Sequence, residues 1–325
     1  IAYHPTVVTV MLGMNDGRYR GFDKEIFEIY ASGYENLLRI LRETAPDLRF
    51  TLIQPSPYDD VTRKPTFNGG YNATLLRYAE FVRDLARREK LAIADLNTPV
   101  VNMLRKAHAS DAGLAARIVP DRVHPGPAGH LIMAGALLES WGATPLVTEV
   151  EIDAAALQVR NARNTVAGEL EGGEILRWTQ RDRALPTFVN WSDPATALAV
   201  RSSSFLEALN RQTLRVTGLT GVSYDLRING AGVATLTAAQ LAAGVNLAEL
   251  PTPMMKQAES VHALTLKRAG VHNTRWRQLQ MVFEKDPPPR LAAILDNLDA
   301  LDADVAARQR AAAQPSACFY ELLPH

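Results

Sequence analysis

A single cysteine, Cys318, stands in 325 residues. That excludes an intrachain disulfide and any cysteine-based zinc site. Neither charge is in surplus: Lys+Arg and Asp+Glu both number 35. A nucleic-acid binder needs a basic excess to displace counterions, so no nucleic-acid partner is expected. No apolar run approaches the roughly 20 residues that span a bilayer. No strand-like segment is followed by a Gly-rich phosphate loop; Gly69-Gly70 lies in the wrong place, which disfavours a nucleotide or flavin protein. His4, His108, His262, His272 and His325 show no metal-like spacing with carboxylates. The sequence therefore points to no metal and no cofactor. No signal peptide is visible, and the chain runs from Ile1 straight into strand-like residues, a start that reads as cut.

What is present is a globular balance, 47% hydrophobic and 22% charged. Thr6–Leu12 is a β-branched, nearly continuous apolar run ending at Gly13, the pattern of a parallel strand buried on both faces. From Lys24 to Thr44, Phe27, Tyr30, Tyr34, Leu37, Leu38 and Leu41 recur at helical spacing, and Pro46 ends the helix. Phe50–Ile53 predicts a second strand, Tyr71–Glu89 a second helix and Leu91–Leu96 a third strand. Helices over Pro99–Ala107 and Pro127–Trp141 follow. Alternation of this kind predicts a parallel sheet covered by helices on both faces, an α/β domain over residues 1–144.

The character changes after Pro145. Strand-like segments at Val147–Ile152, Leu214–Val216 and Tyr224–Leu236, the last a hairpin turning at Asn229-Gly230, predict a β-containing accessory region over 145–286. Pro253–Lys267 reads as a helix within it. Pro287-Pro288-Pro289 is a stiff stop, and Leu291–Ala312 predicts a helical tail over 287–325.

Two short segments carry chemistry. Gly13-Met14-Asn15-Asp16 follows the first strand, at the carboxyl end where open α/β sheets bind ligands. The Asn15 side-chain amide can donate to charge developing on an attacked carbonyl, the requirement of an oxyanion hole. Asp121-Arg122-Val123-His124-Pro125 precedes the last helix of the same layer. Asp121 can accept from His124 Nδ1–H and leave Nε2 free as a general base. Alone, the first segment is ordinary turn chemistry and the second an ordinary capped loop. Their order and their places on the strand ends make the pair specific. Tyr58, Asp59 and Asp60 follow a strand end and either line a cleft or form a polar turn. Trp178, Trp191 and Trp276 fit packing better than sugar stacking, and His130 reads as a plain helix residue.

These segments resemble two conserved blocks of the SGNH/GDSL serine hydrolases, G-x-N-D and D-x-x-H-P, over roughly the first 140 residues. The resemblance implies a flavodoxin-like three-layer parallel sheet. It also implies ester hydrolysis with Asn15 as oxyanion-hole donor, His124 as base then acid, and Asp121 orienting it. Gly13, Met14 and Tyr58 would border the cleft. Implied substrates are small-molecule, carbohydrate or lipid esters, with a periplasmic or secreted home; whether the protein oligomerises is left open. The family's Gly-Asp-Ser block, with the nucleophile, and its oxyanion-hole glycine block have no counterpart here, nor does a G-x-S-x-G elbow. Ser32, Ser56, Ser110, Ser140 and Ser202-Ser203-Ser204 all stand in other contexts. The expectation is a sheet lacking its first strands, on the order of 60 residues at about 30 per βαβ unit, with Val7–Leu12 left as an apolar edge. The rival reading is a catalytically inactive SGNH-like scaffold that binds carbohydrate or protein.

Overall fold

The computed structural model describes residues 5–168 and 170–325; His4 therefore lies outside the described residues. The chain divides into two compact units, one of residues 1–144 and 190–208, the other of 145–189 and 209–325.

In the first unit β1 (Val7–Met11) runs into α1 (Lys24–Thr44), then β2 (Arg49–Ile53), α2 (Gly70–Glu89), β3 (Ala92–Ala94), α3 (Asn97–Ser110), the short α4 (Ala112–Ala115) and α5 (Pro127–Ser140). The strands form a parallel sheet in the order β1-β2-β3, with Val7 opposite Arg49 and Thr51 opposite Ala92. This is the parallel α/β layer that the alternation predicts. Asp23 caps α1, its carboxylate accepting from the backbone N–H groups of Glu25 and Ile26 at 3.0 and 3.2 Å. Tyr30, Tyr34 and Leu38, spaced four apart, then face inward. They meet Val10, Phe50 and Leu52 of the sheet and Tyr78, Val82 and Leu85 of α2 in one core. Pro127 opens α5, where its fixed φ suits the first helical turn. β1 is an outer strand, and Val7, Met11 and Leu12 are each more than 40% exposed, as expected of an apolar edge.

The second unit begins with β4 (Leu146–Asp153), β5 (Gln158–Arg163), β6 (Thr165–Ala167) and β7 (Leu176–Asp182). The chain then returns to the first unit through α6 (Pro194–Arg201) and most of α7 (Phe205–Leu209). It resumes with β8 (Arg211–Thr217), β9 (Ser223–Ile228), β10 (Ala231–Thr237), α8 (Ala238–Ala243), β11 (Val245–Asn246), α9 (Pro253–Asn273), α10 (Leu291–Ala312) and β12 (Ala317–Pro324). Two sheets result, β10-β9-β12-β7-β6 and β11-β8-β4-β5. Their inner faces share one core around Trp178, Tyr320, Leu226, Val150 and Leu214.

Three features differ from the sequence reading. Residues 190–208, read as accessory region, cluster with the first unit, where α6 packs on α3, α4 and α5. The tail after the proline run is a helix followed by β12, whose Cys318, Tyr320 and Leu322 point into the sheet core. β5, β6 and β7 also fall in a stretch without a strand reading. β7 buries Gln180 and Asp182 beside Leu176 and Trp178, so its inward face is only half apolar. Asp182 is satisfied by Thr165 Oγ1 and Gln180 Nε2, both at 2.7 Å, and Gln212 Nε2 at 3.1 Å.

Candidate active site

All three strands of the first unit end at the side where the two motif loops lie. The turn after β1 is built on Gly13, whose φ of +123° belongs to glycine, and where a Cβ would sit 2.7 Å from Pro55 Cγ. Gly13 N–H donates to Asp16 Oδ2 at 2.9 Å, and Arg18 N–H donates to the Asn15 carbonyl at 3.1 Å. Asp16 thus serves the turn, and Asn15 stands exposed on its crest. Tyr19 Oη donates to Asn15 Oδ1 at 2.5 Å. With its oxygen so engaged, the Asn15 amide presents its Nδ2 hydrogens elsewhere. From below, Tyr71 Oη donates to the Met14 carbonyl at 2.6 Å. Burial pushes the Tyr71 hydroxyl up to about 12, so it keeps its proton and the bond at any ordinary pH.

The second loop is a tight Asp–His pair. Asp121 Oδ2 lies 2.7 Å from His124 Nδ1, and Oδ1 accepts from the backbone N–H groups of His124 at 2.7 Å and Val123 at 3.0 Å. These donors, the His124 backbone N–H foremost, hold the Asp121 carboxyl well below the usual carboxylate range. Both side chains are more than half exposed, so the pairing fixes orientation and does not bury charge. Because only the ionised form is favoured, the loop's hydrogen bonds should be complete above the ordinary carboxylate pKa, about 4. They should be lost as the pH falls through the depressed value. Carboxyl carbon NMR should accordingly show Asp121 titrating below the exposed aspartates of the chain; a midpoint among them would contradict the pairing.

Between the two loops lies the segment after β2. Tyr58, expected at the cleft, packs edge-on against Tyr71 with centroids 5.3 Å apart and lies 6.1 Å from Tyr19. Asp59 and Asp60 are turn residues. Asp59 is 1% exposed and accepts from the backbone N–H groups of Val61 and Thr62, from the Thr62 hydroxyl and from Arg63. Asp60 accepts from Asn72 N–H at 2.9 Å at the start of α2, and a Cβ on Gly70 would sit 2.4 Å from its Oδ2. Gly69-Gly70 thus serves the entry to α2. Arg63 donates to the carbonyls of Ala116, Val119 and Pro120 at 2.7–3.0 Å, tying this segment to the chain before Asp121.

Arg63, Tyr19 and Tyr71 escaped the sequence reading. They sit in no motif, and their roles arise from contacts 4 to 57 residues distant in sequence. Among the other candidates, Trp178 is buried and stacked on Tyr320 at 5.0 Å. His130 is an exposed residue of α5. Among the described residues no group of three or more His, Cys, Asp or Glu could hold a metal ion. No helix there is long and apolar enough to cross a membrane.

Residues 1–132 match the model of the GDSL-like lipase/acylhydrolase family. Over these residues the chain is similar to the GDSL-like hydrolases, the family whose two blocks its motif loops resemble. An acetylxylan esterase of Geobacillus stearothermophilus is 27% identical over 146 residues, 44% of this chain and 62% of the relative. The match thus spans about three-fifths of that curated relative's length. A solved gut microbial diltiazem-metabolizing enzyme shares the fold, with a TM-score of 0.80 and 24% identity over 100% of this chain and 85% of its own.

Proposed function

We propose that this chain is the major part of a serine ester hydrolase working through an acyl-enzyme. His124 is the general base, Asp121 orients it and Asn15 donates to the oxyanion. The observation that carries this reading is the 2.7 Å bond between Asp121 and His124 Nδ1. It selects the tautomer with Nδ1 protonated and leaves Nε2 unprotonated to accept a proton. A nucleophilic serine is supplied by a segment outside this sequence, which lacks the family's Gly-Asp-Ser block. The exposed apolar edge of β1 and the partial coverage of the curated relative support that view.

His124 Nε2 takes the serine proton as Oγ attacks the ester carbonyl, forming a tetrahedral intermediate. The Asn15 amide stabilises its negative oxygen. Collapse expels the alcohol, which leaves with the proton from His124. Water, deprotonated by the same imidazole, then releases the carboxylic acid and regenerates the serine. The ester is a small-molecule or carbohydrate ester, a class consistent with the acetylxylan esterase likeness.

Fluorophosphonate labelling of the full-length protein, followed by peptide mass spectrometry, tests the assignment. The expected adduct is on one serine outside residues 1–325. An adduct on Ser202, Ser203 or Ser204, or none on folded full-length protein, would overturn it. The second outcome would favour an inactive scaffold.

A further inference from the structure

Arg122, between Asp121 and His124, is neither base nor oxyanion donor, yet it is anchored more heavily than either. Its φ is +74°, a region that non-glycine residues seldom occupy. The backbone is held there at both ends: its N–H donates to the Val119 carbonyl at 3.2 Å, and its carbonyl accepts from Asp59 N–H at 2.9 Å. The side chain folds back into the segment after β2. Its guanidinium donates to the Lys64 carbonyl at 2.9 Å and the Asp59 carbonyl at 3.3 Å, pairs with Asp60 at 3.5 Å, and lies over the Tyr58 ring at 5.7 Å. Arg122 and Asp60 are 19% and 11% exposed at their side chains, so solvent screens this pairing far less than an open surface pair.

Tyr58 continues the connection. Its ring meets Tyr19 and Tyr71, which themselves lie 5.0 Å apart. Tyr19 holds the Asn15 oxygen and Tyr71 the Met14 carbonyl. A continuous path of contacts therefore runs from the backbone of the Asp121–His124 loop, through Arg122 and Tyr58, to the Asn15 side chain.

We infer that Arg122 and Tyr58 form a clasp that sets the general-base loop at a fixed distance from the oxyanion loop. Both are positioning residues, and the inference rests on the roles proposed above for His124 and Asn15. The chemistry needs the clasp because base and oxyanion donor must meet one tetrahedral centre from different loops. A misplacement of about 1 Å costs on the order of a hundredfold in rate. A planar, stacked and multiply bonded guanidinium suits the task, and lysine would not replace it.

The test uses the full-length protein with 4-nitrophenyl acetate as probe, comparing Arg122→Met, Tyr58→Ala, Tyr58→Phe and the Arg122→Met/Tyr58→Ala double variant. Arg122→Met and Tyr58→Ala should each lower kcat about ten- to hundredfold, with KM changed far less. The double variant should fall little further, because either change alone opens the clasp. Tyr58→Phe keeps the ring and should recover most of the rate lost in Tyr58→Ala. In NMR spectra, the Asn15 side-chain amide should move in Arg122→Met although the two residues lie on different loops, a response that lost stability alone would not give. Unchanged kcat with an unmoved Asn15 amide, or single effects that multiply in the double variant, would overturn the clasp. An Asn15 amide that moves in a protein cleaving no ester would keep the clasp and overturn the catalytic reading. Should Arg122→Met fail to fold, Tyr58→Ala against Tyr58→Phe makes the same comparison.

Discussion

Replacing His124 by alanine in the full-length protein should lower kcat by about 10⁶-fold while leaving thermal stability nearly unchanged. The size follows from what one ring does in the proposed cycle. It accepts the serine proton, returns it to the leaving alcohol, and repeats both steps with water; loss of a general-base histidine of this kind removes about six orders of magnitude. The neutrality of fold follows from the structure. The imidazole is 82% exposed, and the loop bonds at Asp121 Oδ1 come from the backbone N–H groups of residues 123 and 124. Alanine keeps both, and an exposed substitution is ordinarily worth within about 0.5 kcal/mol. Kinetics on 4-nitrophenyl acetate beside a melting curve would read the two separately. Activity retained within tenfold would remove His124 from the mechanism. Activity lost together with a collapsed melting temperature would show a structural residue instead.

The first unit was legible because its sequence obeys one rule at each level. Apolar runs are strands, four-residue spacings are helices, and Pro127, read as the start of the layer's last helix, opens α5. Both candidate motifs were visible for the same reason: each packs its local geometry into five residues or fewer, as the bond from Asp121 to His124 shows. The rest obeyed rules that a linear pattern cannot display. β7 carries a buried carboxylate inward, satisfied by Thr165 and Gln212 from other strands, so its alternation looks polar. β12 joins two strands that precede it by more than 80 residues. Residues 190–208 leave one unit for the other, where α6 packs on α3, α4 and α5. In the site itself, Arg122 reads as a variable position between two motif residues. Its backbone conformation and its contacts to Tyr58, Asp60 and Lys64 exist only once the chain has folded.

Asn15→Ala should cost about 2.7–4 kcal/mol of transition-state stabilisation, a drop in kcat of about 10²–10³-fold. KM for 4-nitrophenyl acetate should stay close to its original value. The amide is asked to meet a negative oxygen that exists only after attack, so its loss is felt in the transition state and hardly in substrate binding. The turn should survive. Apart from the Tyr19 bond to the amide oxygen, its hydrogen bonds run from Arg18 N–H to the Asn15 carbonyl, from Gly13 N–H to Asp16, and from Tyr71 to the Met14 carbonyl, none of which involves the amide. Asn15→Asp is the sharper control, since it keeps the shape and the Tyr19 partner while placing negative charge where the oxyanion forms. It should be slower than alanine. A rate for Asn15→Asp equal to or above that of Asn15→Ala would mean that no negative charge develops beside this side chain. The loop after β1 would then be a binding surface, and the oxyanion would have to be held elsewhere.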